Sequence, residues 1–110
     1  ESLMTLEMLP KLASEHLIKV FHRSLDPVSR KQDLENQVDG FLGEGLPDNI
    51  NLWSKAGLMS QARHDAAWWV NNDSVQTLLV VFGNGEKYFK DETLLPEIAK
   101  AVYKYNNNFV

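Results

Sequence analysis

The stretch LWSKAGLMSQARHDAAWWV (52–70) holds two sets of residues with the types that chemistry needs. Ser60, His64 and Asp65 supply a hydroxyl, an imidazole and a carboxylate, the parts of a nucleophile, its general base and the group that orients the base. Their spacing works against that use. Adjacent residues of a strand point to opposite faces, so His64 and Asp65 do not face each other, and no Gly-x-Ser-x-Gly elbow is present. A structural place in a hairpin is the expectation for all three.

Lys55 is the second candidate. In a strand, Asn51, Trp53 and Lys55 share one face, while Leu52, Ser54 and Ala56 share the other. A lysine among apolar neighbours is costly unless it meets an anion or a polar cavity, and Gly57 lets a ligand approach the backbone closely. The alternative is an edge lysine that discourages strand-to-strand aggregation. Trp68 and Trp69 send one indole to each face, where core packing is favoured over a ligand platform. His16 and His22 lack the i, i+4 spacing of two metal ligands on one helix, so no metal site is expected, and no cofactor either.

Several elements must position these residues. Residues 5 to 22 carry Leu6, Leu9, Leu12 or Ala13, Leu17 and Val20 at helical spacing, with Thr5 as a candidate N-cap. Pro10 removes a backbone bond, so the regular helix is expected from about Pro10 onward. LDPVSRKQDLENQV opens a second helix, with Asp26 as N-cap, Pro27 in the first turn, and Val28, Leu34 and Val38 as a thin apolar face. DGFLGEGLPDN (39–49) reads as a loop. Strands are expected over 50–57, 63–70 and 75–83, the last two joined by a turn at Asn71 to Ser74. The third is apolar on both faces, which predicts helices covering both sides of the sheet. A closing helix carries Leu95, Ile98, Ala99, Val102 and Tyr103, and Asn106 to Asn108 read as a frayed tail. The predicted fold class is α+β, a three-stranded antiparallel sheet packed with helices.

Composition bounds the rest. A chain of 110 residues is one domain or a fragment of one, and 44% hydrophobic with 24% charged residues is ordinary for a globular core. The net charge of −4 with no basic block argues against nucleic acid or an anionic membrane as partner. There are no cysteines, so thiolate and disulfide chemistry are excluded. The chain enters at Glu1-Ser2 on an amphipathic segment with no signal-peptide pattern, an entry expected of a natural fragment or of a trimmed chain alike.

The ordered set of segments resembles the C-terminal part of the serine β-lactamases, closest to the class A type and its penicillin-binding-protein-like relatives. LPDNINLWSKAGLMSQARHDAAWWV carries the resemblance, with MTLEMLPKLASEHL and LDPVSRKQDL before it and LLVVFGNG and the final helix after it. It implies a partial β-lactamase-like (transpeptidase-like) fold. In that family a strand bears Lys-Thr/Ser-Gly on one wall of the active site, and Lys55-Ala56-Gly57 stands in its place. By the same resemblance Lys55 and Arg63 hold the substrate carboxylate, and the Leu58 N–H is one of two oxyanion donors. The implied substrate is a β-lactam or peptide-like amide, and the implied location periplasmic or secreted.

Two departures qualify this. Ala56 lacks the hydroxyl that the family offers the carboxylate, a loss on the order of 1 kcal/mol. The family's nucleophile lies in Ser-x-x-Lys, and none of the serines here (Ser2, Ser14, Ser24, Ser29, Ser54, Ser60, Ser74) has a lysine three residues on. Tyr105-Asn106-Asn107 fits the family's Tyr-x-Asn pattern but sits in the C-terminal tail. Taken alone the chain is expected not to turn over substrate. A sheet lacking the family's remaining strands would leave an unpaired edge, which predicts a homodimer or association with the missing N-terminal part.

Overall fold

A computed structural model describes residues 11–107 of the protein. Thr5, Leu6 and Leu9 lie outside the described residues. The chain forms α1 (Lys11–Phe21), β1 (His22–Arg23), α2 (Pro27–Gln32), a 3-10 turn (Leu42–Gly45), β2 (Asn51–Met59), β3 (Ala62–Val70), β4 (Gln76–Asn84), α3 (Glu86–Lys90) and α4 (Leu94–Asn107). The sheet is antiparallel, in the order β1-β2-β3-β4. It therefore has four strands rather than the three expected. The added one is only His22 and Arg23, set against Trp53 and Leu52, and two residues are too few to carry an alternating pattern.

Asp26 caps α2 as its sequence predicts: Oδ2 accepts the Ser29 N–H at 2.9 Å, with Pro27 in the first turn. The helix stops at Gln32, however, instead of continuing to Val38. Asn36 Oδ1 accepts the N–H groups of Val38 and Asp39, a side-chain turn that competes with helix. Leu34 is left fully exposed and Val38 becomes core.

Strand alternation divides the sheet cleanly. Leu52, Ala67 and Trp69 point to one face, where they pack with Leu42, Leu95 and Ala99. The 39–49 segment is thus more than a loop, since Phe41, Leu42 and Leu46 are buried in this core. Glycine is required at Gly45, where a Cβ would collide with the Pro96 carbonyl of α4. On β4, Leu79 and Val81 join the core side, but Leu78, Val80 and Phe82 are 68%, 46% and 75% exposed. Among the described residues, the helices expected on both sides of this strand cover only one. The closing helix runs with its stripe inward as predicted, and Asn106 and Asn107 are tied down rather than frayed, while Asn108 lies outside the described residues. Asn106 Nδ2 donates to Thr77 Oγ1 at 2.9 Å, and Asn71 Nδ2 donates to Asn107 Oδ1 at 3.0 Å.

Candidate functional site

The hairpin of β2 and β3 separates the residues of the apparent triad. Asp65 pairs opposite Ala56 and is buried on the core face. His64 pairs opposite Gly57 on the other face and lies edge-on to Phe82, ring centroids 5.1 Å apart. Ser60 is exposed at the hairpin tip. The tryptophans divide in the same way: Trp69 is core, and Trp68 packs on Trp53 at 4.5 Å on the opposite face. His22 lies against Trp53 at the sheet edge. Among the described residues no group of three or more His, Cys, Asp or Glu could hold a metal ion.

Around Lys55 the residues do converge. β1 covers β2 only at Leu52 and Trp53, so beyond them the outward-pointing backbone groups of β2 need other partners. Arg23 supplies one set, with Nε and Nη2 donating to the Ser54 carbonyl at 3.2 and 2.8 Å. The Ala56 N–H donates to Gln37 Oε1 at 2.9 Å. In an unbroken antiparallel register these groups alternate, so the Leu58 N–H points to the same side as that of Ala56. Lys55 Nζ bends back to its own strand, donating to the Ala56 carbonyl at 2.8 Å and to Gln37 Oε1 at 3.5 Å. An open cavity of about 460 Å³ lies here, lined by Lys55, Ala56 and Leu58 on one side and by Leu34, Glu35, Asn36, Gln37 and Phe41 on the other.

The facing wall is held in several places. Asn36 Nδ2 donates to Asp39 Oδ2 at 2.8 Å, and Arg30 Nε pairs with Asp39 Oδ1 at 3.2 Å. Arg63 and Asp65, two apart on β3 and on one face, grip the backbone on either side of Phe41. Arg63 Nη1 donates to the Gly40 carbonyl, and Asp65 Oδ2 accepts the Leu42 N–H, each at 3.0 Å. Arg63 also donates through Nε and Nη2 to the Phe89 carbonyl at 3.1 and 2.9 Å, and its guanidinium lies 5.1 Å from the Phe41 ring centre. The guanidinium is thereby turned inward and meets the cavity through Phe41. Burial pushes the Asp65 carboxyl up to about 6, against the opposing pull of the Leu42 and Ala66 N–H groups and the charges of Arg23 and Lys55.

A family model described as the Beta-lactamase enzyme family matches residues 17–106. The chain belongs to the beta-lactamase enzyme family. Two solved structures have a similar fold: the ancestral (GNCA) class A β-lactamase, at 20% identity and a TM-score of 0.54, and the class A β-lactamase of the last common ancestor of Gram-negative bacteria (GNCA4), at 22% and 0.54. In both cases the match covers 73% of this chain and 34% of the other, so the chain spans about a third of the length of these structures. No curated protein matches.

Within this family member, the structure brings Lys55, Ala56 and Leu58 together on one cavity wall, with Gly57 between them. Sequence reasoning missed Arg23, Gln37 and Phe41. Gln37 lies 14 residues from Arg23 and 19 from Ala56, and a neutral amide in a turn carries no spacing signal. Phe41 had one: an aromatic between two glycine-flanked turns is unusual in a solvated loop.

Proposed function

We propose that this chain provides the substrate-binding wall of a β-lactamase-like serine hydrolase, which acts on a β-lactam or related amide or ester through an acyl-serine intermediate. In this reading Lys55 attracts the substrate carboxylate, the Leu58 N–H is an oxyanion donor, and Ala56-Gly57 lets the substrate lie along the strand. Arg63 contributes by fixing Phe41 as the opposite wall. The observation that carries the reading is the convergence of Lys55, Ala56 and Leu58 on one cavity at an uncovered strand edge. Space above the strand supports it: a Cβ at Gly57 would meet only His64, at ordinary distances of 3.7 and 3.8 Å, so the chain's own packing does not require glycine there.

The acylating serine must come from outside these 110 residues, since none of their serines begins a Ser-x-x-Lys motif. The purified chain is expected to bind benzylpenicillin weakly, shifting the Ala56 and Leu58 amide resonances, without hydrolysing a chromogenic cephalosporin. Lys55→Met should weaken that binding by about tenfold, the loss of one charge-assisted contact. Turnover by the chain alone, or benzylpenicillin shifts elsewhere than on β2, would reject the assignment.

A second reading, a binding or assembly module, is supported by β4. It is the last strand of the sheet and exposes Leu78, Val80 and Phe82 together. In this reading β4 pairs with a second copy or with the rest of a β-lactamase-like fold. Sedimentation equilibrium at rising concentration tests the homodimer, and a monomer throughout would reject it.

A further inference from the structure

Three donors aim at one oxygen. Gln37 Oε1 receives the Ala56 N–H at 2.9 Å, Arg23 Nη2 at 3.2 Å and Lys55 Nζ at 3.5 Å. An amide oxygen has two lone pairs, so three donors oversubscribe it, and the longest contact falls to the lysine. Donors on every side also fix which end of the carboxamide is the oxygen. The charges are mismatched too. Two cations meet a neutral acceptor, and among the described residues the ion pairs are Arg30 with Asp39 and Lys90 with Glu86, involving neither Arg23 nor Lys55. Asp65 is felt by both cations, but its Oδ2 is held by the Leu42 N–H on the core face. Two cationic donors and a backbone N–H around one point are the equipment of a carboxylate site, where charge-assisted bonds are about twice as strong as neutral ones.

We propose that Arg23, Lys55 and the Ala56 N–H form a carboxylate subsite, and that Gln37 occupies it as an internal surrogate which an incoming carboxylate displaces. Arg23 thereby joins the binding wall from β1, an element outside the Lys55-Ala56-Gly57 motif. Gln37 sets a threshold: a ligand binds only if its carboxylate offers these donors more than the amide does. The inference deepens the substrate-wall reading of the same cavity, but it concerns carboxylates in general.

The test compares the native 110-residue chain with Gln37→Ala and Gln37→Glu by NMR, using benzoate as probe and benzamide as the uncharged control. Gln37→Ala should bind benzoate at least about tenfold tighter than the native chain, with the Ala56 amide and the Arg23 Nε resonances moving together. Gln37→Glu should not bind benzoate, and its new carboxyl should titrate below the ordinary glutamate value of about 4.3, because the three donors favour its charged form. Benzamide should shift none of these resonances. Equal benzoate affinity in native and Gln37→Ala chains would overturn the proposal, as would an ordinary titration of the carboxyl in Gln37→Glu. If Gln37→Ala does not fold, the titration and benzoate response of Gln37→Glu decide alone. A benzylpenicillin arm separates the two claims. Capture of benzoate but not benzylpenicillin by Gln37→Ala keeps the subsite and removes the β-lactam reading.

Discussion

β3 sends Arg63, Asp65, Ala67 and Trp69 to one face of the sheet and His64, Ala66, Trp68 and Val70 to the other, and the two faces meet different surroundings. On the first, Leu42, Leu95 and Ala99 close over the strand, and the buried charges of Arg63 and Asp65 hold the backbone that leads into the cavity. On the second, aromatic rings pair locally, His64 with Phe82 and Trp68 with Trp53, while β4 leaves apolar side chains open. Alternation thus assigns side chains to faces, but only packing elements from elsewhere decide which face is core. Each face therefore predicts its own response to substitution.

Trp69→Ala should have the largest effect. Its indole is fully buried in the core, so truncation should cost about 3–5 kcal/mol, read as a collapse of the urea midpoint or outright unfolding. The neighbouring Trp68, half-buried on the other face, should lose markedly less on the same change. Equal losses would mean that the two faces are equivalent.

Arg63→Met keeps much of the side chain's apolar length but removes every donor to the Gly40 and Phe89 carbonyls. Leaving those acceptors without their charged partner should cost about 2–4 kcal/mol. If Arg63 acts through Phe41, the Phe41 ring resonances should also shift, and Arg63→Lys should restore only part of the stability, because a lysine cannot span both carbonyls.

These two residues also mark how far sequence carries. The alternation of 50–57 and 63–70 separated His64 from Asp65 and sent Trp68 and Trp69 to opposite faces, because period-two patterning is local; core packing was expected of both indoles, and only Trp69 has it. What failed was non-local. Val38 and Phe41 become core only when α4 closes over the 3-10 turn, and β1 exists only because β2 offers Trp53 and Leu52 an open edge. Of the candidate site, the β2 wall was legible from Lys55-Ala56-Gly57. The Arg23 and Gln37 side was not, since the contacts that define it join separate loops and strands.

Asp65 offers a smaller and reversible test of the core face. Its carboxyl is raised from 3.8 to about 6, so the folded chain binds this proton more tightly than the unfolded chain does. Folding is then penalised by the buried charge above pH 6 and relieved as pH falls from 6 towards 4. Asp26 and Asp91 are held low by bonds from Ser29 and Thr93, so their contribution is lost only below the ordinary carboxylate range. Between pH 6.5 and 4.5 the native chain should gain roughly 1–3 kcal/mol relative to Asp65→Asn, which keeps an acceptor for the Leu42 N–H without the charge. A constant difference between the two urea midpoints across that window would show that Asp65 carries no such burden.

The smallest effect is expected from the open face, and it sharpens the contrast most. Phe82 is 75% exposed, so Phe82→Ser removes little buried area and should change stability by no more than about 1 kcal/mol, chiefly through its contact with His64. Self-association is a different matter. If Leu78, Val80 and Phe82 form a contact surface, Phe82→Ser should abolish concentration-dependent sedimentation while the urea midpoint of the dilute chain barely moves. A large loss in dilute solution would instead place Phe82 under cover within a single chain, and the second face would have to be counted as core.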